Sequence, residues 1–171
     1  MQSRIRPQKI ATLGLFLAFA LVLSYVESLI PFAFAVPGMK LGLANCAIVM
    51  LLYKEGYKEA VLVNVLRVIL AGFLFGNLYS ILYSLAGALV SFVVMFLLWK
   101  MKKFSIMGVS MGGGVFHNIG QLIVAAVVLQ TLNLAYYLPI LLIAGIGTGF
   151  LNGLIAGKVL PYLPKYLEDI K

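Results

Sequence analysis

The chain is short of charge, nearly empty of aspartate, and holds one cysteine and one histidine. Only 11% of its 171 residues are charged and 63% are hydrophobic. A soluble domain carries about 25% charged and roughly 45–50% apolar residues. Too few polar groups exist to cover a globular surface, which excludes an ordinary cytosolic enzyme. Asp169 is the sole aspartate, beside Glu27, Glu55, Glu59 and Glu168. Chemistry built on an aspartate pair or an aspartate-rich metal motif is excluded. Cys46 stands alone in an apolar run, so neither a disulfide nor a cysteine metal site is available. No G-x-x-x-x-G-K-[ST] phosphate loop occurs, and no resident metal or cofactor is expected.

What is present is a set of apolar runs and a biased distribution of basic residues. The mean hydropathy is +1.09. A spanning helix needs about 20 mainly apolar residues. On that measure the sequence predicts an all-α integral membrane protein, a single domain of six helices. The spans are expected at 10–30, 41–53, 57–75, 78–99, 106–132 and 137–155. The second is short, and the segment 31–40, with Pro31, Pro37 and Gly38, reads as a loop or re-entrant turn.

The formal net charge of +8 would suggest nucleic acid were the charges not confined to inter-helix segments. Arg4, Arg6 and Lys9, then Lys54 and Lys58, then Lys100, Lys102 and Lys103, then Lys158, Lys165 and Lys171 all fall on one side of the six-span layout. That is eleven of the thirteen basic residues. The positive-inside rule places both termini in the cytoplasm, with lipid and no nucleic acid as surroundings. Arg4 and Arg6 ahead of an apolar run imitate a cleavable signal, but a signal core is about 7–15 residues and this run is longer.

Polar residues inside the spans mark a candidate site, because lipid tolerates them poorly. Glu27 lies near the outer end of the first span, and Lys40 and Asn45 flank the start of the second. Arg67 lies mid-way along the third, with Asn64 one turn earlier. Tyr79 and Tyr83 accompany Ser80, Ser84 and Ser91 on the fourth, and His117, Asn118 and Gln121 cluster on the fifth. The depths converge on an outward-facing polar pocket of about one net positive charge. Such a pocket suits a small anionic or dipolar ligand. The competing reading is structural: an Arg67–Glu27 ion pair, a packing histidine, and serines bonding between helices.

Small residues form two faces. Gly145, Gly149, Gly153 and Gly157 recur every four residues, which predicts close internal packing of the sixth span. Ala11, Gly14 and Ala18 share a face of the first span, open to internal packing or to docking of a partner protein.

Four blocks carry a resemblance: Pro37-Gly38-Met39-Lys40-Leu41-Gly42-Leu43-Ala44-Asn45; Arg67 through Phe75-Gly76; Tyr83-Ser84-Leu85-Ala86-Gly87; and Gly113 through His117-Asn118 to Gln121. Together they resemble one bacterial family labelled both heptaprenyl diphosphate synthase component I and Gx transporter. The helix layout with its small first-span face is also similar to the substrate-binding S component of energy-coupling factor (ECF) transporters. The second likeness implies a ligand-binding transport subunit served by separate ECF-type coupling and ATPase subunits. The first label implies a membrane accessory of prenyl diphosphate and menaquinone synthesis. It would be a non-catalytic one, since trans-prenyltransferase sites resemble paired aspartate-rich motifs and this chain has none.

Overall fold

The computed structural model describes residues 7–30 and 40–163. Within them the chain is helical: α1 (Pro7–Leu29), α2 (Asn45–Lys54), α3 (Tyr57–Phe75), α4 (Leu78–Met101), α5 (Ile106–Val128) and α6 (Leu138–Val159), with 3-10 turns at Leu132–Tyr137 and Leu160–Tyr162. Arg4, Arg6, the turn around Pro37–Met39 and the basic residues Lys165 and Lys171 lie outside the described residues.

Local chemistry sets the ends. Asn77 caps α4 by accepting from the Ser80 N–H at 2.9 Å, and Ser105 caps α5 by accepting from Gly108 at 3.2 Å. Helix α4 stops where Lys102 turns left-handed at φ 55°. Helix α6 opens with Pro139 in its first turn, where a missing N–H costs nothing.

Four helices are long and apolar enough to cross a membrane: α1, α4, α5 and the run around α6. At 1.5 Å per residue, the 23 residues of α1 reach about 34 Å, against a hydrocarbon thickness of about 30 Å. Helix α3 has 19 residues but carries Lys58, Glu59 and Arg67. Helix α2 has only 10, about 15 Å, and starts at Asn45 because residues 40–44 are not helical. In place of the expected second span at 41–53 stands a ten-residue helix preceded by irregular backbone.

The position of α2 explains how that is tolerated. Every residue from Asn45 to Leu52 is buried, and α2 touches all five other long helices. Those five form an open ring in the order α1, α3, α4, α5, α6, while α1 and α6 barely meet. Irregular backbone at membrane depth survives where protein, not lipid, surrounds it.

Glycine decides the tightest seam. A Cβ on Gly114 would stand 2.2 Å from the Gly145 carbonyl oxygen, on Gly149 2.5 Å from Met111 Cα, and on Gly153 2.6 Å from Met107 Cα. The four-residue glycine repeat of α6 is thus an internal face against α5, except at Gly157, where nothing lies within 4 Å. Helix α1 buries one stripe only, Phe16, Ala20, Ser24 and Glu27. Ala11, Gly14 and Ala18 are exposed, and a Cβ on Gly14 would touch nothing, so internal packing does not account for that face.

Three contacts define the ends of the bundle. Lys9 pairs with Glu59, and the Lys54 Nζ donates to the Leu163 carbonyl at 3.3 Å, gathering the starts of α1 and α3 with the ends of α2 and α6. At the opposite end Tyr25 of α1 stacks against Phe75 of α3, ring centroids 5.1 Å apart.

Candidate functional site

Residues 40–44 run non-helically into the N-terminus of α2 and need partners for their backbone groups. Side chains from three helices supply them. Glu27 of α1 accepts from the Gly42 N–H at 2.5 Å and from Leu43 at 3.3 Å. Gln121 of α5 accepts from the Lys40 N–H at 2.8 Å and donates to its carbonyl at 2.7 Å. On α6, Asn152 donates to the Gly42 carbonyl at 3.0 Å and Thr148 to that of Leu41 at 3.3 Å. Gly42 sits at φ +88°, a conformation suited to glycine. The Glu27 carboxylate also lies at the positive end of α2, where an anion is favoured.

A second chain of contacts crosses beneath this segment. Arg67 donates through Nε to Asn64 Oδ1 and through an Nη to Asn45 Oδ1, both at 3.1 Å. Asn45 Nδ2 donates to Ser91 Oγ at 3.2 Å, and Asn64 Nδ2 to the Ala88 carbonyl at 3.1 Å. Arg67 is only 2% exposed. Its described partners are neutral amides, and no carboxylate lies within ion-pair distance. The Arg67–Glu27 salt bridge considered from sequence is thus not a direct contact; the two charges interact through space.

The expected site residues separate into three groups. Glu27, Lys40, Asn45, Arg67, His117 and Gln121 come together around the 40–44 segment. His117 is 1% exposed. Carbons of its ring stand close to both Gly42 and Gly87, each 3.1 Å from where a Cβ would be. Asn118 points the other way along α5 and donates to the Leu141 carbonyl of α6 at 2.7 Å. Tyr83 is buried with Leu122, Ala125, Leu134 and Leu141, in an apolar cluster separate from the polar centre. Tyr79 is 61% exposed and does not reach the centre. Four residues apart, the two tyrosines share a face of α4 by helical spacing, but Tyr79 stands exposed in the first turn while Tyr83, one turn further in, is buried.

Three contributors escaped the sequence reading, one of them Thr148 in the middle of the α6 apolar run. Asn152 was visible only as an amide in an apolar run beside Gly153, and Gly42 only as one glycine in a Gly-x-Lys-Leu-Gly block. Their significance depends on the backbone that α6 and α1 enclose.

Several buried polar atoms in the centre are left without a partner among the described residues. They are Glu27 Oε2, both ring nitrogens of His117 and the Ser84 hydroxyl. The Gly87 backbone lies close to the His117 ring without hydrogen-bonding geometry. Native proteins leave few such atoms unsatisfied. A neutral imidazole offers one donor and one acceptor, a carboxylate oxygen offers an acceptor, and Arg67 retains N–H groups beyond its two amide bonds. Lys40 stands half-buried at the edge of the centre. The arrangement can bind a small group that both donates and accepts near a permanent cation.

No curated protein and no solved structure matches the chain. The sequence model of the family described as heptaprenyl diphosphate synthase component I matches residues 16–159, from within α1 to the end of α6. The chain belongs to the heptaprenyl diphosphate synthase component I family.

Proposed function

We propose that this chain is a membrane-embedded binding subunit that takes up a small anionic or dipolar ligand at the Glu27–Arg67–His117 centre. One observation carries the reading: a buried imidazole and a buried carboxylate oxygen stand unpartnered beside an arginine hydrogen-bonded only to neutral amides among the described residues. A polar centre built purely to hold the 40–44 segment would have no need of His117. In this reading the bundle crosses a bacterial membrane six times with both termini inside, α2 completing its crossing through the 40–44 segment. The exposed Ala11–Gly14–Ala18 face receives coupling and ATPase subunits of ECF type, since the chain has no phosphate loop of its own. The subunit binds and does not catalyse.

The family description favours a second reading, a non-catalytic membrane accessory of heptaprenyl diphosphate synthesis. Mass spectrometry of small molecules retained by gently purified protein separates the two. A water-soluble metabolite lost in Arg67→Gln supports uptake. A prenyl diphosphate or quinone lost in the same variant supports the accessory role.

A further inference from the structure

The open side of the ring, at the end of the bundle remote from the polar centre, holds a cleft that meets the proposed docking face at Ala11 and is separate from the polar centre. Its inner chamber, about 330 Å³, is walled by Leu15, Phe16 and Phe19 of α1, Met50 of α2, and Val159 and Leu163 beyond the α1–α6 gap. No polar side chain lines it. A second chamber of about 340 Å³ shares Leu15, Phe16 and Leu163 and adds Gln8, Ala11, Thr12 and Lys54. The cleft is therefore graded along α1, from apolar side chains around Phe19 to one cation and two neutral polar groups around Gln8 and Thr12, among the described residues.

Lys54 is placed to meet an anion. Its Nζ donates once, to the Leu163 carbonyl at 3.3 Å, which leaves further donors, and no carboxylate among the described residues lies within ion-pair distance of it. The neighbouring last turn of α6 carries Lys158, which is exposed. Lys9 is paired with Glu59 and contributes less.

We infer that this cleft binds an anionic phospholipid, one acyl chain lodged between α1 and α6 and the headgroup phosphate at Lys54. The wholly apolar lining of the first chamber suits an acyl chain, and a lipid of net negative charge gains more from the lysine than a zwitterionic one, whose own cation offsets its phosphate. Basic residues close to anionic lipid raise affinity about fivefold each. The site does not depend on what the polar centre binds.

The test is native mass spectrometry of the full chain exchanged into phosphatidylglycerol or phosphatidylcholine. The wild type should retain one phosphatidylglycerol about fivefold more than phosphatidylcholine. Lys54→Gln should equalise the two. Leu15→Trp, at a position 67% exposed and so harmless to folding, should fill the chamber and lower retention of both. Val159→Trp does the same from the opposite wall, and unchanged melting temperatures show that each variant is folded. Equal retention of both lipids by the wild type, or full retention by the two tryptophan variants, overturns the inference. So does displacement of phosphatidylglycerol by equimolar farnesyl diphosphate, which would assign the cleft to a soluble prenyl anion instead.

Discussion

Gln121 and Lys40 stand 81 positions apart and exchange two hydrogen bonds, the carboxamide of one matching the backbone N–H and C=O of the other. The glutamine acts as a neighbouring strand would, on a stretch of chain that has no strand beside it. A residue read from sequence as a ligand contact is thus first a support for the segment that leads into α2.

That role gives a stability prediction. Gln121→Ala leaves a donor and an acceptor of Lys40 unpaired, each costing about 1–3 kcal/mol where water is excluded. Thermal unfolding in detergent should show a clear loss without added ligand. A wild-type melting temperature would mean that Lys40 finds water instead.

Arg67 and Asn45 should couple. The bond at 3.1 Å joins α3 to the first residue of α2, and groups in direct contact show interaction energies of about 0.5–3 kcal/mol. A double-mutant cycle of Arg67→Gln and Asn45→Ala measures this. Additive effects would remove the arginine's structural share and leave ligand binding as its main task.

His117→Ala should behave differently from Gln121→Ala. No hydrogen bond is lost, so ligand-free stability should fall only by the packing of the ring. Retention of the bound small molecule should fall sharply. Normal retention in both His117→Ala and Arg67→Gln would leave the polar centre without a ligand.

The glycines rank themselves by the space around them. Gly114→Ala places a methyl 2.2 Å from a backbone oxygen and should prevent the α5–α6 seam from closing. Gly14→Ala and Gly147→Ala meet nothing and should stabilise by up to about 1 kcal/mol through helix propensity. Gly14→Leu should then leave melting unchanged while abolishing co-purification with coupling subunits. Intact co-purification moves the docking surface elsewhere.

Orientation can be read chemically. Leu132 is 84% exposed between α5 and α6, and Cys46 is buried, so Leu132→Cys offers one reactive thiol. It should be labelled by an impermeant maleimide on intact cells. Labelling only after permeabilisation would reverse the topology.

Composition alone determined that this chain is a bundle of apolar helices, because so few charged residues cannot cover a water-facing surface. Hydropathy and turn residues placed most helices within a few residues, since each such helix satisfies its own backbone wherever its neighbours lie. The α5–α6 seam was legible too, as a glycine every fourth residue has one direct consequence for a helix.

The tertiary structure decided the rest. Helix α2 could be this short only because five helices enclose it, and enclosure is not a property of its own ten residues. The polar centre depended on which faces those helices turned inward. Asn118 and Gln121 are neighbours on one helix, yet one holds α6 and the other holds Lys40; Tyr79 and Tyr83 share a face, yet one is exposed and the other buried. A hydrogen bond between residues far apart in the chain depends on the packing of whole helices, which no local pattern of residues records.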